Sequence, residues 1–184
     1  MTILPLAYLP SVEYFAHLLR GGCVVDLGEH FVKRSERNRA RILATDGVME
    51  LTVHVCHANR PHQHWGALVA SYKGSPYFDF YAEYFEPFYR REYGFLADYN
   101  AELLGRLCSL LRVPMPEFSQ AYVAAAAGDT DLRPKRRNEG PAFIAEPYVQ
   151  VFSDRMPFQP NLSVADLLFA EGPEAVSVLR RCRL

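Results

Sequence analysis

The chain has 184 residues, with 20 lysines and arginines against 21 aspartates and glutamates and a formal charge of −1. That length suits one domain with a substantial core, and its 49% hydrophobic and 22% charged residues exclude a disordered or fibrous chain. Near-neutral charge argues against general nucleic-acid binding, which needs a broad basic face. No apolar run reaches the roughly 18 residues of a membrane span.

Ile3 to Leu9 is short and apolar and predicts a strand, although Pro5 cannot donate to a ladder and so favours an edge position or a late start. Pro5 and Pro10 interrupt this apolar stretch and no basic region precedes it, so no secretory leader is expected. Ser11 can cap a helix in which Val12, Phe15, Ala16 and Leu19 share one face, and Gly21-Gly22 ends it. Cys23 to Leu27 is a second short apolar run. Short connections around one helix predict a parallel, right-handed unit. Ligands collect beyond the carboxyl ends of such strands, which would place Tyr8, Asp26 and Glu29 near one site.

Asp46-Gly47 between Arg39–Ala44 and Val48–Val55 is a hairpin signal, with Met49, Leu51, Val53 and Val55 on one face. From Trp65 to Arg112 the period is helical. Ser75-Pro76 resembles a cap followed by proline at the first helical position, and Tyr77, Tyr81, Tyr84, Phe85 and Phe88 form a dense aromatic face. Phe118 to Val123 and Tyr148 to Phe152 predict further strands. Between them, Gly128 to Pro147 is polar and rich in breakers, as a mobile loop would be, and holds a second basic patch at Arg133, Lys135, Arg136 and Arg137. Ser163-x-x-Asp166 resembles a capping box opening a helix, and Pro173 starts a last one. The expected fold is a single α/β domain: a small, partly parallel sheet with a β-hairpin and packed helices.

The densest chemical signal is Lys33, Arg34, Arg37, Arg39 and Arg41, five cations offset only by Glu36. A fold that keeps such a cluster together uses it either for an anion or as a solvated face. If extended, Lys33, Arg37, Arg39 and Arg41 share a face. If helical, Arg34, Arg37 and Arg41 align. Guanidinium forks suit carboxylates and phosphates. His54, His57, His62 and His64 lie close together, but none has the spacing of a zinc site, so no metal is expected. His64, beside Trp65 at a helix start, is the candidate general base, and a helix-terminal hydrogen bond is its structural alternative. Cys23, Cys56, Cys108 and Cys182 fit no redox or zinc spacing and suit thiols of a reducing compartment, here taken as the cytoplasm. No cofactor signature is present.

Taken together these motifs resemble the WbqC-like family of bacterial proteins. The resemblance rests on Tyr8-Leu-Pro-Ser-Val-Glu-Tyr-Phe, Lys33-Arg-Ser-Glu-Arg-Asn-Arg-Ala-Arg-Ile, His64-Trp65, Ser71-Tyr-Lys-Gly-Ser-Pro-Tyr-Phe, Leu96-Ala-Asp-Tyr-Asn, Tyr148-Val-Gln-Val-Phe and Pro160-Asn-Leu-Ser-Val-Ala-Asp-Leu-Leu-Phe-Ala-Glu-Gly-Pro-Glu. The version with Asp131-x-Arg-Pro-Lys resembles the Bacteroidetes-type branch. The segment Cys56 to Gln63 is shorter than is usual in the family. The resemblance implies that Lys33, Arg37, Asn38, Arg39, His64, Asn161, Ser163 and Asp166 matter, and it links the chain to surface-polysaccharide gene clusters.

Two functions fit. One is a transferase acting on an activated anionic small molecule, with cations holding the anion and His64 taking a proton. The other is a non-catalytic binding or scaffold protein whose basic cleft recognises a glycan precursor or an acidic partner segment. The resemblance, which sets Asn161-Leu162-Ser163 beside the Arg37-Asn38-Arg39 motif, implies that the two converge on one cleft, with Tyr8 and His64 near its rim and the 128–147 loop closing over it to bring Arg133 or Lys135 to the ligand.

Overall fold

The four-residue strand β1 (Thr2–Pro5) lies parallel to β2 (Cys23–Asp26), with Thr2 opposite Cys23 and Pro5 opposite Asp26. The helix between them, α1 (Val12–Arg20), makes the crossover. This computed structural model describes residues 1–53, 61–134 and 143–184. β5 (Glu117–Ser119) pairs with β2, and β6 (Thr130–Asp131) with β1, both parallel, giving the order β5-β2-β1-β6. β1 is therefore internal rather than an edge. Its proline is tolerated because β6 reaches only Thr2 and Ile3, so Pro5 ends the strand beyond that ladder. β6 was not anticipated: two residues are too short to leave a periodicity.

The hairpin forms from β3 (Arg39–Ala44) and β4 (Gly47–Thr52). Ala44 pairs with Gly47, so the two loop residues are Thr45 and Asp46, and Gly47 is the first strand residue, at φ 120°. α2 (Pro61–Tyr72), α3 (Phe78–Arg90), α4 (Leu96–Leu111), α5 (Val164–Glu171), a 3₁₀ turn (Gly172–Glu174) and α6 (Ala175–Arg181) complete the fold. α5 is buried on all sides from Val164 to Phe169 and is the packing centre. The Phe169 ring meets Tyr72, Phe78 and Phe85 at centroid distances of 5.3, 5.0 and 5.0 Å.

Three expectations change. Ser75-Pro76 does not cap α3. Tyr77 donates its N–H to the Phe169 carbonyl, which holds the chain in a turn until Phe78. Tyr148 to Phe152 is not a strand, because Tyr148 and Gln150 turn their side chains onto Asp166 and the backbone bends from Gln150 to Ser153. The strand expected over Phe118 to Val123 stops at Ser119, where the chain folds back across Gly28.

α4 ends in a Schellman motif, with Val113 N–H on the Cys108 carbonyl and Arg112 N–H on Ser109. Arg112 occupies the left-handed position at φ 53°, where glycine is the unstrained choice.

At Gly28 a Cβ would stand 2.3 Å from the backbone nitrogen of Tyr122. Gly28→Ala should destabilise the protein by about 1–3 kcal/mol, the usual cost of overpacking, measured by urea unfolding. An unchanged midpoint would mean that the 119–123 segment does not rest on β2.

Candidate functional site

The carboxyl end of the parallel sheet, where open α/β folds bind ligands, is filled by the protein itself. Arg133 has no exposed surface. Its Nε donates to Asp131 Oδ1 at 2.9 Å, Nη2 to Asp131 Oδ2 at 2.5 Å, and Nη1 to Asp26 Oδ2 and to the Val123 carbonyl. Asp26 and Asp131 are the last residues of β2 and β6. The Tyr122 ring covers the guanidinium at 4.7 Å. Beside them Arg37 pairs with Glu29 at 3.2 Å and donates to the Glu29 and Asp26 carbonyls. Burial raises the Glu29 carboxyl above its ordinary value, and Arg37 and then Arg133 oppose the shift.

This arrangement uses residues expected to meet a ligand. Arg133, in the bend just after β6, is locked between two carboxylates, and β6 gives part of the 128–147 segment defined structure. Residues 135–142, including Lys135, lie outside the described residues, as do His54, Cys56 and His57. Asn38 donates its amide to the Val53 carbonyl at 3.2 Å and receives Val53 N–H on its own carbonyl, closing the base of the hairpin. Lys33 is exposed. The basic cluster is neither extended nor helical before Arg39. It is a turn with Arg34 left-handed at φ 59°, so Arg37 leaves the face that Arg39 and Arg41 share on β3.

Those two arginines line a small cleft of about 70 Å³ with Tyr8, Ser11, Glu36, Asn161 and Ser163. It forms where the N-caps of α1 and α5, Ser11 and Ser163, meet in an antiparallel bridge. Leu9 and Asn161 take left-handed backbones, at φ 41° and 54°, to bring them together. The helix N-termini are already satisfied. In α1, Val12 N–H bonds the Leu162 carbonyl, Glu13 N–H bonds Asn161 Oδ1 at 3.0 Å and Tyr14 N–H bonds Ser11 Oγ. In α5, Val164 N–H bonds Pro10 and Ala165 N–H bonds Ser163 Oγ. Asn161 Nδ2 also holds Glu13 at 2.9 Å. Positive charge here therefore comes from Arg39, which also pairs with Glu50, and from Arg41, which is exposed and has no ion pair among the described residues.

Tyr8 connects this cleft to His64. Its N–H bonds the Glu36 carbonyl on the cleft side, while its hydroxyl is 2.9 Å from His64 Nδ1 and 3.4 Å from Tyr89 Oη. The Tyr8 ring stacks on Tyr99 at 5.7 Å, and Tyr99 Oη has no hydrogen-bond partner among the described residues. Burial holds the Tyr8, Tyr89 and Tyr99 hydroxyls well above their ordinary titration range, so all three stay neutral. His64 is partly exposed in the first turns of α2.

Sequence reasoning missed Asp166's partners. Ser163 caps α5 as expected, but Asp166 does not reach back to complete a capping box. It is buried beneath Tyr148, whose hydroxyl donates at 2.6 Å, and Gln150, whose amide donates at 3.1 Å. The alternate spacing of Tyr148 and Gln150 was the available signal. Among the described residues no group of three His, Cys, Asp or Glu side chains is placed to hold a metal, and no helix is long and apolar enough to cross a membrane.

The WbqC-like protein family model matches residues 7–136, a span that includes the β1–α1–β2 unit's second half, the hairpin, the Tyr8–His64 pair and Arg133. The chain belongs to the WbqC-like protein family. It is also similar to the uncharacterised protein Rv1507c of Mycobacterium tuberculosis (strain ATCC 25618 / H37Rv), 26% identical over 196 residues that cover 83% of this chain and 85% of that protein. No solved structure matches the chain. The matched span holds both kinds of arginine: Arg37 and Arg133 at the sheet end, Arg39 and Arg41 at the cleft.

Arg133→Met should cost about 3–5 kcal/mol by chemical denaturation, because Asp26 and Asp131 would remain buried without a counter-charge. A loss below 1 kcal/mol would show that the pair is solvated. Asp166 gives a pH signature. Burial raises its carboxyl above the ordinary value, with Tyr148, Tyr72 and Gln150 lowering it in part. A raised folded-state value means that its contribution is full in acid, below the unfolded value of about 3.9, and is lost as pH rises through the folded value. The stability of Asp166→Asn relative to wild type should therefore increase from about pH 4 toward neutrality. A difference constant with pH would contradict the buried carboxylate.

Proposed function

We propose that this chain is a transferase acting on an activated anionic small molecule in surface-polysaccharide metabolism, in the cytoplasm, within the Bacteroidetes-type branch of its family. The donor is a nucleotide-linked sugar or an acyl or aminoacyl conjugate. Arg39 and Arg41 hold its anionic group, with Asn161 and Ser163 fixing the wall of the cleft. His64 takes the acceptor's proton. The observation that carries this reading is Tyr8, whose backbone borders the arginine cleft and whose hydroxyl holds His64 Nδ1.

That role sets the tautomer. For Nε2 to act as the base, Nδ1–H donates a hydrogen bond to Tyr8 Oη, and the Tyr8 hydroxyl in turn donates one to Tyr89 Oη. Neutral phenols suit this chain because none of them competes for a proton near neutral pH. Orientation of the acceptor and charge stabilisation by the arginines supply the rate enhancement.

A second reading is favoured by the internal pairing of Arg37 and Arg133, which withdraws two of the cations expected to meet a ligand. It makes the chain a binding or scaffold protein for a glycan precursor or an acidic partner segment. A thermal-shift screen with nucleotide sugars, acyl-CoA and aminoacyl-adenylate analogues tests both, since a specific ligand stabilises the fold by mass action. Both readings predict a shift that Arg39→Ala/Arg41→Ala abolishes. The transferase reading further predicts that His64→Ala keeps the shift and loses turnover of that donor by at least a hundredfold, the usual scale of general-base catalysis. Loss of the shift in His64→Ala, with no turnover by wild type, would leave the binding reading standing.

A further inference from the structure

α3 presents an aromatic stripe away from the candidate site: Tyr77 at its N-cap, then Phe80 and Tyr84. Phe80 is 63% exposed, unusual for a phenylalanine on a helix with a buried face of its own. It stands edge-on to the buried Tyr81, with ring centroids 4.9 Å apart. Between this stripe, the end of α4 and the turn leading to α6 runs a groove of about 420 Å³, which Pro173 and Val176 also line.

The groove is lined by two arginines and by no lysine, aspartate or glutamate among the described residues. The Arg106 guanidinium lies 5.9 Å from the Tyr84 ring centroid. Neither Arg106 nor Arg112 forms an ion pair among the described residues. Phenylalanine, tyrosine and arginine without lysine or acids is the composition of the centre of protein–protein interfaces. Arg112 adds a second observation. It holds the left-handed position of a Schellman motif, where glycine would be unstrained and most side chains are not. Arg112 and Tyr81 line the same groove. Strain retained at a position that delivers a cation to a groove points to use of that cation.

We propose that this groove docks a partner protein through a segment that combines an apolar anchor with an acidic residue. The anchor packs on Phe80 and Tyr84, against Pro173 and Val176. The carboxylate meets Arg112 and Arg106, whose charge has no counter-ion in the groove. The surface is separate from the arginine cleft and does not depend on the reading of that cleft.

The test is selection of a random peptide display library on the immobilised whole chain, followed by solution binding of the synthetic consensus peptide. The expected consensus places an aromatic or aliphatic residue beside Asp or Glu. Arg112→Gly should weaken that peptide at least tenfold while raising the melting temperature, because glycine relieves the left-handed backbone. Phe80→Ser should weaken it as strongly. A consensus without acids, or a peptide whose affinity neither substitution changes, overturns the proposal. So does concentration-dependent self-association of the wild-type chain that Phe80→Ser abolishes, which would make a second copy the occupant.

Discussion

The position of one guanidinium organises this molecule. Arg133 leaves β6 and turns back over the strand ends, where Asp131 and Asp26 hold it with no surface left exposed. A charge so desolvated must be compensated in place, so the ends of β6 and β2 cannot shift relative to one another without stranding a carboxylate. The same guanidinium reaches the Val123 carbonyl, and Asp26 receives Gly28 and Val123 N–H groups. The segment after β5 is thereby drawn across the sheet. Such pairs add little net stability, but they are costly to break and so fix register.

Closing the sheet end has a functional consequence. In open parallel sheets that end is the usual ligand crevice, yet here Arg133, Arg37, Glu29 and Tyr122 fill it. The remaining chemistry gathers to one side, where the caps of α1 and α5 meet the hairpin. β3 then sorts the basic cluster. Arg37 lies before the strand and turns inward to Glu29, whereas Arg39 and Arg41, two apart on β3, face the cleft together. Tyr8, in the buried stretch after β1, touches both this cleft and His64.

The legible parts of the fold were those with a local signal. Gly21-Gly22 ends α1, Ser11 and Ser163 cap their helices, and the glycine at 47 follows a tight turn as its neighbours required. The parallel pairing of β1 and β2 followed from the short helical crossover between them. What stayed hidden depended on contacts distant in sequence. Arg133 looked like a loop cation because its partners Asp26 and Asp131 are set by strand pairing, not by spacing. Tyr148 and Gln150 alternate like strand residues, but both side chains are drawn to Asp166. The convergence of Asn161 with Glu13 joins segments 148 positions apart. No periodicity encodes it.

Four arginines divide into an internally paired set at the sheet end, Arg37 and Arg133, and an open set at the cleft, Arg39 and Arg41. Titration with inorganic phosphate, followed by NMR of the arginine Nε–H groups, tests that division directly. Saturable shifts are expected at Arg39 and Arg41 and none at Arg37 and Arg133. Shifts at Arg37 or Arg133, with Arg39 and Arg41 unmoved, would mean that the sheet end opens and that the site lies there instead.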